Sequence, residues 1–303
     1  MTHSDGYNVK ETHKKIVDFT CKVTNTSGFR AELIKDLQLE FPRSYQDSQL
    51  MAEISKAIKK QSNSLLCSLP FCHTVEAEAF GGLINLSDGN FGPRKSVYAY
   101  QSIEELLNLP ELDFQHGRIN EVLKACQILS HAGEKVMLEV SGFLTILHSL
   151  IDLTKFFKAW RNAPEAIDEI FEILSRNLFN FFEEAKKSGV AIISYADPTA
   201  SVNIVGPIFL EKLATEFTLP LLKKTQSLAD ENFIIHVCPK ISLLFYSLGL
   251  AERKTLQFPQ GISYAEACLK AIGKEKVIGQ ACINDDESIL SHGKINALHF
   301  ITS

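Results

Sequence analysis

Several sequence signals of common protein classes are missing from this chain of 303 residues. No uninterrupted apolar stretch reaches 18 residues, and the first residues lack the charged-then-apolar order of a secretion signal, so we expect a cytoplasmic protein without a membrane segment. No Cys-x-x-Cys pair occurs, and seven irregularly spaced cysteines fit reduced thiols rather than a disulfide framework. Acidic residues outnumber Lys and Arg by 36 to 31, which argues against a nucleic-acid surface.

The apolar segments that are present alternate with helical patterns. Strands are predicted at Leu65–Leu69, Val136–Val140, Val190–Tyr195, Phe233–Cys238, Thr255–Phe258 and Val277–Cys282, with a weaker one at Leu83–Leu86. The clearest helix begins at Pro164 and ends before Gly189. Because no Gly-x-Gly-x-x-Gly follows a strand, this alternation favours a (β/α)8 TIM-like barrel over a dinucleotide-binding fold. We predict a helical extension over residues 1–60, packed on a barrel over residues 61–303.

The most informative short motif is His236-Val237-Cys238, at the end of a predicted buried strand. Side chains two residues apart on a strand share a face, so His236 and Cys238 are expected to lie side by side. Imidazole and thiolate suit zinc, and Cys282 at the end of another strand could complete a three-ligand site with an open fourth position. The alternative is a hydrogen-bonded core histidine beside buried free cysteines.

Two other polar segments follow predicted strands. Asp197 comes directly after one strand and either orients a ligand or caps the turn before Pro198. After the strand at Leu65, the segment Cys72–Glu78 carries Cys72, His73, Glu76 and Glu78. These four side chains could act as ligands or acid–base groups, although glutamates at a helix start are ordinarily surface residues.

Together these segments resemble the uroporphyrinogen decarboxylase-like superfamily, and within it the zinc-dependent methylcobalamin:coenzyme M methyltransferases and related corrinoid-dependent enzymes. The resemblance is carried by Thr74–Ala79, Ser141–Thr145, Ala196–Ser201, Gly206-Pro207 with Pro220, and His236–Cys238. It implies an enzyme that moves a methyl group between a corrinoid, supplied as methylcobalamin by a partner corrinoid-binding protein, and a small thiol that Zn²⁺ holds as thiolate.

The resemblance also implies roles for individual residues. It gives His236 and Cys238 as zinc ligands together with a further cysteine on a later strand, so either Cys282 takes that place from a neighbouring position or the site is incomplete. It gives Asp197 and Glu76 as catalytic groups, and Glu78, Thr145 and Ser201 as contacts to the corrinoid. Related enzymes take a methyl group from a methoxylated substrate to cob(I)alamin, so an O-demethylase is one alternative. A uroporphyrinogen decarboxylase or a non-catalytic relative is another, although the arginine-rich N-terminal segment of the decarboxylases is missing. No obvious final strand follows Cys282, so we expect the last barrel strand to be absent or altered.

Overall fold

The structure is a computed structural model that describes residues 16, 17, 19, 29–86, 91–285 and 288–301. In these ranges the strands are β1 (Cys67–Leu69), β2 (Leu83–Asn85), β3 (Arg94–Val97), β4 (Val136–Ser141), β5 (Ile192–Ala196), β6 (Ile234–Val237), β7 (Ala251–Gln257), β8 (Ile262–Ser263), β9 (Val277–Ile278), β10 (Ile289–Leu290) and β11 (Lys294–Phe300). The α-helices are α1 (Ala31–Asp36), α2 (Ser48–Gln61), α3 (Val75–Ala79), α4 (Ile103–Leu106), α5 (Gly117–His131), α6 (Phe143–Leu150), α7 (Leu153–Asn162), α8 (Pro164–Lys187), α9 (Val202–Leu213), α10 (Leu219–Thr225), α11 (Pro239–Leu248) and α12 (Tyr264–Ala271).

The centre of the fold is a seven-stranded sheet with the order β1-β4-β5-β6-β9-β11-β7. Neighbouring strands from β1 to β9 are parallel, as predicted for strands connected by helices. Every residue of β4, β5 and β6 is buried. The nearly continuous apolar composition of these three strands therefore reflects a sheet that is covered on both faces.

The sheet is open among the described residues, because β1 and β7 form its two edges. The next strand in the sheet beyond β9 is β11, which runs antiparallel to both β9 and β7. The expected (β/α)8 closure is therefore not reached. The last strand is altered rather than absent, because β11 has seven residues and runs antiparallel, whereas the strand predicted over Val277–Cys282 is shortened to two.

The two faces of the sheet contact different layers. One face packs Val140, Ile193 and Val237 against the long helices, including the Pro164–Lys187 helix that the sequence predicted. The other face packs Ile192 and Ile234 against Tyr264 and the rest of α12. Helix α12 therefore packs on the face opposite the long helices.

The N-terminal part is helical where it is described. Helix α2 is amphipathic, and its residues Met51 and Ala52 join the core that contains β1. Residues 1–15, 18 and 20–28 of the predicted extension lie outside the described residues. No helix in the described ranges is both long and apolar enough to span a membrane.

Candidate functional site

The carboxyl ends of β1, β4, β5 and β6 lie at the same edge of the sheet, because these strands are parallel. The strand register brings Glu139 of β4 beside Ser194 of β5, and Ser194 beside His236 of β6. Loops that follow these strands supply further polar residues. This edge is where ligands bind in barrels and open α/β sheets, so it is the candidate site.

Asp197, directly after β5, is fully buried and bound to the start of α6. Its Oδ2 accepts from the backbone N–H of Leu144 at 3.0 Å, and its Oδ1 accepts from the backbone N–H and the hydroxyl of Thr145 at 3.0 and 2.7 Å. These bonds satisfy amides at a helix N-terminus that have no partner within the helix. Burial raises the pKa of Asp197, against the opposing effect of the bonds from Thr145 and Leu144.

Gly142, the residue before α6, allows this contact. A Cβ at position 142 would lie 2.4 Å from the Cβ of Asp197 and 2.7 Å from its Cγ. The motifs Ser141–Thr145 and Ala196–Ser201 therefore form one unit in space. The predicted residues Asp197 and Thr145 meet within it, and Asp197 caps the start of α6, which differs from the cap of its own turn that the sequence offered as an alternative.

Glu76, on α3, is also buried. Its Oε1 accepts from the backbone N–H of Ser141 at 2.7 Å, and its Oε2 is buried without a hydrogen-bond partner. Burial is the main cause that raises the pKa of this carboxyl group, while hydrogen bonds and the nearby charge of His73 act in the opposite direction. A carboxyl group in this environment is shifted towards its protonated form, which can donate a hydrogen bond.

His73 lies beside Glu139, a site residue that we did not single out from the sequence. Nδ1 of His73 lies 3.1 Å from Oε1 of Glu139, and Oε2 of Glu139 accepts from Nδ2 of Asn284 at 2.8 Å. The positive form of His73 also lowers the pKa of both Glu76 and Asp197, so it is close to both. A charged residue within the apolar run Val136–Val140 was the signal that could have identified Glu139.

His236 lies on the sheet face that α12 covers. Its Nε2 lies 3.1 Å from the carbonyl oxygen of Ala281, which can only accept, so Nε2 carries the proton. Its Nδ1 lies 3.0 Å from the hydroxyl of Ser194, and the ring packs edge-on against Tyr264. Burial lowers the pKa of His236 to about 4, so the imidazole is neutral at physiological pH.

The two predicted cysteine ligands are partly buried. Cys238 precedes α11, and its backbone N–H donates to the carbonyl oxygen of Tyr195 at 3.0 Å. No three His, Cys, Asp or Glu side chains in the described part of the chain come together as a group that could hold a metal ion. Since both nitrogen atoms of His236 are also hydrogen-bonded, His236, Cys238 and Cys282 do not fit a zinc ion in this arrangement.

The remaining predicted residues have separate environments. Glu78 pairs with the buried guanidinium of Arg118, which also donates to the sulfur of Cys72 at 3.1 Å and to the hydroxyl of Thr74 at 2.8 Å. Ser201 is buried at the residue before α9. Arg118 was missed because it lies within the pattern of α5, with no local sign that its charge is buried.

Comparison with known proteins identifies the family. The family described as Uroporphyrinogen decarboxylase (URO-D) matches residues 23–281, and the chain belongs to this family. A methylcobamide:CoM methyltransferase, MtaA of Methanosarcina barkeri, is 26% identical over 265 residues, which cover 86% of this chain and 74% of that protein. A second, MtbA of Methanosarcina acetivorans, is 25% identical over 228 residues, which cover 74% of this chain and 67% of that protein.

A solved structure supports the fold. A methyltransferase from Methanosarcina mazei superposes with a TM-score of 0.62 at 23% identity and covers 74% of this chain. The chain spans 66% of that protein's length. At this identity the likeness establishes the fold, and it agrees with the predicted resemblance.

Proposed function

We propose that this chain is a corrinoid-dependent methyltransferase that moves a methyl group between a corrinoid, carried by a partner protein, and a small thiol. The observation that carries the proposal is the similarity to two groups of methylcobamide:CoM methyltransferases, which extends over as much as 86% of the chain. The similar region includes the edge of the sheet where Glu76, Glu139 and Asp197 lie. In this proposal the corrinoid is the methyl donor and therefore a substrate.

The site residues support a role in binding and orientation. The amides of α6 and the carboxyl group of Asp197 fix the position of one loop, and the bond from Ser141 to Glu76 fixes the start of α3 beside it. Protonated Glu76 would donate from Oε2 to a heteroatom of the thiol substrate, which would orient that substrate at the edge of the sheet. No step of the proposed reaction passes through a metal ion, because the predicted ligands do not fit one.

The proposal is tested by supplying the purified chain with methylcobalamin and coenzyme M. We expect the absorbance of methylcobalamin to change faster than without protein, and methylated coenzyme M to form. Glu76→Gln should slow the reaction, since the amide donates more weakly than a carboxylic acid, whereas Glu104→Gln on the first turn of α4 should not. Absence of methyl transfer to coenzyme M and to other small thiols would contradict the proposal.

A further inference from the structure

We propose that a cleft between α7, α8 and α9 binds a small aromatic carboxylic acid in its anionic form. The cleft has a volume of about 570 Å³, which is large enough for a small organic ligand. Glu76, Glu139 and Asp197, the carboxyl groups at the edge of the sheet, are not among its lining residues. The inference therefore adds a second site to the molecule and does not depend on the proposed function.

An interruption of α9 forms one wall of this cleft. Gly206 has a φ of 74° and a ψ of 161°, which are not helical angles, and Pro207 has no backbone N–H to continue the helix. A Cβ at position 206 would meet no atom within 4 Å, so the space beside this backbone is open. The motif Gly206-Pro207 that the sequence analysis singled out thus lies at the wall of the cleft.

The inner surface of the cleft is apolar and aromatic. Trp160 and Val205 are its most buried lining residues, and the ring centroid of Trp160 lies 5.0 Å from that of Phe209. Ile208 lines the same cleft and is 58% exposed. Covering such an apolar side chain is favourable, and an aromatic ligand can pack against the two rings in offset or edge-on geometry.

The charged residues that line the cleft are both cations. They are Arg161, in the last turn of α7, and Lys212 of α9. The guanidinium of Arg161 lies 5.2 Å from the ring centroid of Phe209, and within the described residues it has no ion pair and no hydrogen bond. Lys212 pairs with Glu216 at 3.7 Å, but both side chains are well exposed and the pair is weak.

These features together fit an aromatic acid better than other ligands. A guanidinium offers donors in a planar fork that matches a carboxylate, and Arg161 has this fork available beside an aromatic ring. A cationic ligand would meet two like charges. A purely polar anion such as inorganic phosphate would gain nothing from the apolar surface, and an uncharged apolar ligand would leave the guanidinium unused.

The test uses the intrinsic fluorescence of the protein. Trp160 is the only tryptophan of the chain, so its emission reports on this cleft alone. The probes are biphenylacetate and its uncharged analogue biphenylacetamide. We expect biphenylacetate to change the emission saturably, and the amide to bind about 10-fold more weakly, because it lacks the charge that Arg161 recognises. Isothermal titration calorimetry should give one molecule of biphenylacetate per chain.

Two variants separate recognition of the charge from recognition of the apolar body. Arg161→Gln should weaken biphenylacetate about 10-fold, the lower end of the effect of a hydrogen bond to a charged group, and leave the affinity for the amide nearly unchanged. Ile208→Ser should weaken both probes by the same factor. Both replaced side chains are exposed, so thermal unfolding should match the wild type.

Arg176→Gln is the matched control. Arg176 is also an exposed helical arginine, with an ion pair to Glu111 at 3.4 Å, but it does not line the cleft. This variant should bind both probes like the wild type.

Three outcomes would overturn the inference. Absence of a saturable change with biphenylacetate would show that the cleft does not bind this class of ligand. Equal affinities for the acid and the amide in the wild type would show that the cations do not select an anion. Binding that is unchanged in both Arg161→Gln and Ile208→Ser would place the probe elsewhere on the protein.

Discussion

The carboxylate of Asp197 and the first turn of α6 are joined at Thr145, which donates to the same oxygen from its backbone N–H at 3.0 Å and from its hydroxyl at 2.7 Å. This contact links the end of β5 to the helix that follows β4 across 52 residues of sequence. Since Asp197 is fully buried, its bonds are shielded from competing water. Two loops at the edge of the sheet are therefore held in one arrangement by one side chain.

Replacement of this carboxylate by an amide should destabilise the protein. In Asp197→Asn one oxygen is replaced by an NH2 group, which faces the backbone N–H of Leu144 or of Thr145 as a second donor. We expect a loss of about 2 kcal/mol in the free energy of unfolding, the cost of leaving a buried donor unsatisfied. Urea unfolding measures it.

Asp152→Asn is the control for that experiment. Asp152 accepts from the backbone N–H and hydroxyl of Thr154 at the start of α7, both at 2.9 Å and both at Oδ1. An asparagine keeps one oxygen for these two bonds, and its NH2 group faces water, so no donor is left unsatisfied. Equal losses in the two variants would contradict the role that we assign to burial of Asp197.

His236 should make stability depend on pH. Burial holds its pKa at about 4, below the ordinary value of 6.5, so the unfolded chain binds a proton at a higher pH than the folded protein does. Protonation of His236 therefore favours the unfolded chain. The contribution of His236 to the free energy of unfolding is fully present above about pH 6.5 and is lost as the pH falls towards 4, by about 3 kcal/mol in total.

The measurement is the free energy of unfolding of the wild type and of His236→Gln at pH 7 and pH 4.5. Glutamine has no ionisable group, so the free energy of unfolding of His236→Gln should decrease less on acidification than that of the wild type. The difference between the two decreases should be most of the total of about 3 kcal/mol. Carboxyl groups contribute equally to both proteins and cancel in the comparison. Parallel curves for the two proteins would show that the imidazole ionises without a penalty.

Much of the fold could be predicted because its signals are local. The buried runs of β4, β5 and β6 are nearly continuous in apolar residues, and α8 has a proline at its first position and one apolar stripe. Closure of a barrel depends instead on which strands pair over long distances. The alternation in Lys294–Phe300 fits an antiparallel strand, and its pairing with β9 and β7 could not be inferred from that segment alone.

The candidate site also has a part that local sequence signals predict and a part that depends on the tertiary fold. The strand ends identified Asp197 and Glu76 as residues at the edge of the sheet, because position after a strand is a local property. The partners of these groups could not be predicted, since Thr145 reaches Asp197 and Asn284 reaches Glu139 only through the tertiary fold. For His236, Nε2 donates to the carbonyl oxygen of Ala281 and is therefore not available to a metal ion. No residue spacing in the sequence predicts that contact.

Arg118 should be among the costliest single residues to replace. Its side chain is 2% exposed and holds Glu78, Thr74 and Cys72 together. In Arg118→Met the aliphatic contacts are retained, but Glu78 loses its ion pair and Cys72 its donor. Breaking a buried ion pair from one side costs about 3–5 kcal/mol, and the partial exposure of Glu78 places the expected loss near the lower value.

Arg43→Met provides the comparison on the surface. Arg43 pairs with Asp47 at 3.1 Å, with its side chain 63% exposed, so its removal should cost no more than about 1 kcal/mol. Chemical unfolding of both variants gives the difference directly. A cost for Arg118→Met as small as that for Arg43→Met would show that the Arg118 network does not stabilise the fold.

Metal analysis decides between two opposed expectations for His236. The sequence predicts one zinc ion on His236, Cys238 and Cys282, whereas the structure has both imidazole nitrogens hydrogen-bonded and no group of three ligands within the described residues. From the structure we expect protein purified without chelators to contain no stoichiometric zinc, and Cys238→Ser to leave its metal content unchanged.

One zinc per chain that is lost in His236→Ala and Cys238→Ser, but retained when the buried Cys268 of α12 is replaced by serine, would establish the zinc site. It would also require the bonds of His236 to Ser194 or Ala281 to break on metal binding, and an X-ray absorption edge would then count the sulfur ligands.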